Sequence, residues 1–110
     1  MELQKEYIDV EDAVKRVGGN MDLFKRLLAQ FMGGDHFQKL DEALDAGETE
    51  AAARLAHTLK GTGANLSLHK LSAAAAELEQ NIKNGIDHTE SLANLKQIFD
   101  ATSNEAAKIP

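Results

Sequence analysis

The chain has 110 residues, 43% hydrophobic and 27% charged, a length and balance that fit one folded domain over 1–110 and exclude intrinsic disorder and a second domain. A formal charge of −6 speaks against the clustered basic surface on which nucleic-acid binding rests, and the absence of cysteine excludes disulfides and thiolate metal sites. No apolar run is long enough to span a membrane, and the opening MELQKEYIDV lacks the basic and apolar regions of a leader. The expectation is a soluble cytoplasmic domain with protein partners, no nucleic acid and no direct membrane contact.

A single proline, Pro110, and a single tyrosine leave little β signal, while Leu, Ala, Glu, Lys and Gln dominate, so the fold class is all-α. In chain order, a weak segment over Asp9 to Val17 precedes five stripes of helical period. The stripes are Phe24, Leu27, Leu28 and Phe31; then Phe37, Leu40 and Leu44; then Ala52, Leu55 and Leu59; then Leu71, Ala75, Leu78 and Ile82; then Leu92, Leu95 and Phe99. Asn20, Asp35, Thr49, Ser67 and Asp87 stand where N-caps belong, and Gly18, Gly47 and Gly85 where helices stop. Asp87 with Glu90 has the spacing of a capping box, and Leu66 with Leu71 that of a hydrophobic staple. Gly33-Gly34 either separates two helices or bends one. Short connections favour antiparallel neighbours, which predicts an up-down-up-down four-helix bundle with one or two additional N-terminal helices against one end. The tail from about Asn104 to Pro110 is expected to fray.

The helix predicted over Thr49 to Asn65 carries the chemistry. At 100° per residue, Ala52, Leu55, Leu59, Thr62 and Leu66 gather on one side and must face the core. His57 lies opposite, with Ala53 one turn before it, Gly61 one turn after, Ala64 nearly two turns after, and Arg54 and Lys60 on its flanks. Outer helix faces normally carry long polar chains, and an interior glycine costs about 1 kcal/mol relative to alanine. Small residues beside an exposed imidazole admit another protein's backbone, and a lysine one turn away can neutralise charge on a group attached to the ring. A phosphoryl group on a neutral imidazole meets both conditions.

The stretch A-H-T-L-K-G-T-G-A-N-L, Ala56 to Leu66, resembles the signature of histidine phosphotransfer domains, in which H-x-x-K-G surrounds the phosphorylated histidine. The likeness extends to R-V-G-G-N near Gly19, L-L-x-x-F around Phe31, A-L-D-A-G-E before the active helix and L-x-x-x-A-x-x-L-E after it. The resemblance implies that His57 is the phosphoacceptor at its outer ring nitrogen, that Lys60 steadies the phosphoryl group and that Gly61 leaves room for a receiver. It also implies a polar residue on the next helix that orients the ring; an ungapped count lands on Glu79, and Gln80 follows if the loop shifts register. Family members often carry glycine where Ser67 stands, and Asn65 is the alternative residue for a left-handed turn there.

Other readings stand beside these. Glu79 also reads as one member of a surface charge pair, and Arg54 as an ordinary solvated residue. His36, His69 and His88 share no spacing and read as surface or capping residues; no histidine has Glu three positions earlier, so a bundle metal site is not expected. Phe24, Phe31, Phe37 and Phe99 read as core, and Ala73 to Ala76 as close helix packing. The function implied is a phosphorelay intermediate, its partners response-regulator receiver domains and a hybrid sensor histidine kinase. It needs no cofactor of its own, since Mg²⁺ is expected on the partner receiver. No glycine-rich nucleotide loop exists, so self-phosphorylation from ATP is not expected, and the apolar stripes are used up by one bundle, which predicts a monomer. The competing function is a helical adaptor without phosphate chemistry.

Overall fold

The computed structural model describes residues 4–110, so the first three residues of the opening stretch lie outside it; among the described residues there are six α-helices and no strand. They are α1 Val10–Arg16, α2 Met21–Met32, α3 His36–Asp45, α4 Thr49–Asn65, α5 His69–Lys83 and α6 Thr89–Ala106. Asp9 and Asn20 start α1 and α2 by accepting the amides of Asp12 at 3.2 Å and Leu23 at 3.0 Å. Gly33 closes α2, so Gly33-Gly34 separates two helices. Gly47 and Gly85, at φ +71° and +66°, take the left-handed positions that let α4 and α6 fold back.

Three expected caps are displaced by one residue. Glu48, Leu68 and His88 occupy the N-cap positions of α4, α5 and α6, none with a side-chain cap bond. Asp87, just outside α6, accepts the amide of Thr89 at 3.0 Å and its hydroxyl at 2.8 Å, so it acts as a local turn and not as the head of a capping box. Asp35 is the N-cap of α3 but makes no cap bond. The left-handed residue after α4 is Ser67, at φ +59°, not Asn65, which is still helical. Tertiary contacts hold Ser67 there: it is fully buried, its hydroxyl donates to Asp12 Oδ2 at 2.5 Å, and its carbonyl accepts the amide of Asp9 at 3.1 Å.

Contacts along the helices fix their directions. Ser72 Oγ bonds the Lys60 carbonyl and His57 meets Glu79, so α4 and α5 run antiparallel. Asn81 reaches Ser91 across α5 and α6, while Phe37 packs on Phe99 and Lys96 binds Asp41 across α3 and α6. The α4–α5 pair has the most extensive packing. α1 meets the turn between α4 and α5, and α2 packs on the C-terminal part of α6, so both sit at the same end of the longer helices. The long axis of 41 Å exceeds the roughly 27 Å that 18 helical residues span, as that end-on placement requires.

The core is continuous, from Ile8, Phe24 and Leu28 through Leu40, Leu59, Leu71 and Leu78 to Leu95. Phe24 and Phe31 are buried; Phe37 and Phe99 are only half-buried. Ala74 and Ala75 pack inside, Ala73 faces out. In the stretch from Asn104 where fraying is expected, α6 runs to Ala106, Glu105 is buried and accepts the amide of Gln4 at 3.2 Å, Lys108 reaches it at 2.8 Å, and Ile109 packs on the core. Burial of the Glu105 side chain and the packing of half-buried Ile109 hold the tail against the core.

Candidate functional site

α4 puts Ala52, Leu59 and Leu66 in the core, with Leu55 and Thr62 half-buried. His57, Gly61, Ala64 and Arg54 are exposed, the His57 side chain by 62%. An added Cβ at Gly61 would meet nothing within 4 Å. Ala53 departs from the expected outward strip, since it is only 7% exposed. It lines, with Arg54, His57, Glu79, Ile82 and Lys83, a cleft of about 520 Å³ between α4 and α5. The neighbouring helix covers what a single helix turned about its own axis leaves bare.

Glu79 stands on α5 with its side chain 2% exposed, not on the surface. Its Oε2 lies 3.0 Å from His57 Nδ1 and 2.9 Å from Lys83 Nζ, and Lys60 Nζ lies 3.1 Å from Oε1. The Oε1 contact is an ion pair without hydrogen-bond geometry. Gln80 is exposed, so of the two orienting candidates Glu79 is the one in contact with His57. Burial alone would raise the Glu79 pKa; the Lys83 ammonium above all, with Lys60 and His57, overrides it and brings the pKa down to about 2. The carboxylate is therefore ionised near neutral pH and can only accept. Nδ1 must then carry the ring proton, and in the neutral ring Nε2 keeps its lone pair, the requirement for a nucleophile.

Lys83 was not singled out by its sequence position, although its spacing four residues after Glu79 on one helix is the signal that could have found it. The remaining histidines differ from His57. His36, expected at the surface or as a cap, is half-buried and takes the capping place: Nε2 bonds the carbonyl of Phe31 in the last turn of α2 at 2.8 Å, and the ring packs at 4.8 Å from the Phe31 ring. A turn after Gly33-Gly34 folds His36 back onto α2. His69 is exposed and His88 half-buried without a cap bond. Among the described residues no three His, Asp or Glu side chains cluster as metal ligands would, and no helix is long and apolar enough to cross a membrane.

An exposed histidine whose inner ring nitrogen meets a buried carboxylate is joined by a family match: the Hpt domain over residues 22–105. The chain belongs to the Hpt domain family. Hpt domains carry out histidine phosphotransfer in phosphorelays and interact with receiver domains of two-component systems. The matched span takes in α3, α4 and α5 entire and leaves α1 outside. No curated protein and no solved structure matches the chain significantly.

Proposed function

We propose that His57 accepts a phosphoryl group from the aspartyl phosphate of one receiver domain and passes it to the aspartate of another. The observation that carries this reading is the contact of His57 Nδ1 with a buried, ionised Glu79 on a ring that is otherwise exposed. The Nε2 lone pair forms the N–P bond as the P–O bond to the receiver aspartate breaks, and the bonding pair leaves with the carboxylate. The phosphorylated ring keeps its proton on Nδ1 and is positively charged, which the Glu79 carboxylate stabilises. Onward transfer reverses these bond changes and returns a neutral imidazole.

Lys60 supplies its ammonium to the phosphoryl oxygens, and Gly61 and Ala64 give the receiver backbone an unobstructed approach. Arg54 borders the cleft, and Ala53 belongs to its wall and not to the outer strip. The receiver brings the Mg²⁺ and carboxylates of the transfer step, so this chain holds no metal and has no ATP-dependent activity. A hybrid sensor kinase is the upstream source. The architecture supporting the site is read as an antiparallel up-down-up-down four-helix bundle of α3 to α6, acting as a monomer in the cytoplasm. Incubation with a phosphorylated receiver tests the proposal: the wild-type chain gains acid-labile, base-stable label, His57→Gln gains none, and Mg²⁺-ATP alone labels neither. Label on His57→Gln would refute it.

A further inference from the structure

Glu79 holds more positive charge than an orienting carboxylate needs. Lys60 Nζ is 3.1 Å from Oε1, and Lys83 Nζ is 2.9 Å from Oε2, the oxygen that also receives His57 Nδ1 at 3.0 Å. A carboxylate touching an imidazole favours the imidazolium, and an imidazolium has no lone pair with which to attack phosphorus. A lone glutamate would align His57 and deactivate it together. One carboxylate against two ammonium groups leaves one net positive charge beside the neutral ring, and protonating the ring would make it two. The lysines thus oppose protonation while the carboxylate keeps its hold on Nδ1.

Lys60 does not maintain this balance through the reaction if its ammonium turns to the arriving phosphoryl group. We infer that Lys83 is the positioning residue that keeps Glu79 compensated, and the His57 ring neutral and aimed, while Lys60 moves from Oε1 to the phosphoryl oxygens. The inference rests on His57 being the phosphoacceptor. Charged groups facing this cluster are Glu50, Arg54 and Lys60 from α4 and Glu79 and Lys83 from α5. Because Lys83 Nζ and His57 Nδ1 share Oε2, they lie no more than about 6 Å apart. The Lys83 side chain is 53% exposed, so the influence of its charge on the ring is screened by water and weakens at high salt.

The test is a ¹⁵N NMR titration of the His57 ring in the unphosphorylated full chain, with the pH profile of transfer from a phosphorylated receiver measured beside it. In Lys83→Met and Lys83→Gln the ring midpoint and the acid limb of transfer both rise by about 0.5 pH unit, and Lys83→Arg keeps both at wild-type values. A folded Lys83→Met or Lys83→Gln whose ring titrates as wild type, or a Lys83→Arg displaced as far as Lys83→Met, overturns the inference. The ring titration needs no phosphoryl donor. A wild-type chain that takes no label, while the variants shift the ring as expected, refutes the phosphoacceptor reading and leaves the charge balance standing.

Discussion

Gly61 and Gly63 are two residues apart in α4, on opposite faces of one helix. A Cβ added at Gly61 would enter open space; at Gly63 it would come to 3.0 Å from Leu71 Cδ2 and 3.5 Å from the backbone nitrogen of Ser72. The inner glycine lets α4 and α5 approach closely near the turn that joins them. The outer glycine contributes nothing to packing. It costs helix propensity, and what it leaves is clearance beside an exposed imidazole. The two faces therefore divide the labour, stability inside and access outside, although the residue type is the same.

The division is broken most severely at the histidines. His57→Gln is expected to lose all phosphoryl acceptance and to melt within about 0.5 kcal/mol of wild type, because its ring is mostly in water. His36→Ala is expected to do the opposite, costing about 1–2 kcal/mol through the lost Phe31 carbonyl bond and aromatic packing, with transfer intact. Denaturant melts paired with labelling read both, and a His36→Ala chain that folds but accepts nothing would erase the boundary.

Next in size is Gly61→Arg. Its long side chain beside His57 should lower the transfer rate about tenfold, while stability holds or rises by up to about 1 kcal/mol. A Gly61→Arg chain that transfers at the wild-type rate ends the argument for a cleared face. Gly63→Ala should cost about 1–3 kcal/mol as Leu71 is displaced. Gly61→Ala, by contrast, should gain up to about 1 kcal/mol, so the two alanine variants move Tm in opposite directions.

The remaining effect is in acid. Glu79 has its pKa lowered from 4.5 to about 2 in the fold, so its contribution to stability is complete above 4.5 and is lost as pH falls through about 2. With its lysine partners 35% and 53% exposed, the loss is discounted to about 1–2 kcal/mol. Subtracting the acid profile of Glu79→Gln from that of the wild type isolates this component, since Asp12, Asp87 and Glu105 are also shifted down and act in the same direction. A difference profile flat between pH 4.5 and 2 would mean that the carboxylate is not held as described.

Much of this was legible in the chain. Periodicity and caps placed α4, the 100° turn gave His57 its outward face, and the family resemblance, counted on from the histidine, led to Glu79. What was not legible depends on neighbours. Ala53 shares the face of His57 but is covered because α5 lies beside it. Glu79 was readable as a surface ion because nothing in its own helix reveals that α4 buries it or that Lys60 reaches it. Ser67, not Asn65, takes the left-handed position because Asp12 and the Asp9 amide hold it there, from residues far away in sequence. Glu105 of the tail meets the amide of Gln4, 101 residues away in sequence.

The Ser67 clasp has a consequence for the order of assembly. His57 and Glu79 are 22 residues apart, within one helical hairpin whose loop is short, whereas Ser67 and Asp12 are separated by 55. Closing the longer separation loses more chain entropy, so the hairpin with its histidine and glutamate is expected to be the cheaper pairing to form and the N-terminal clasp the costlier one. The His57–Glu79 contact belongs to the most local part of the fold, and the segment before α2 is tied to the turn after α4 through the hydroxyl and carbonyl of Ser67.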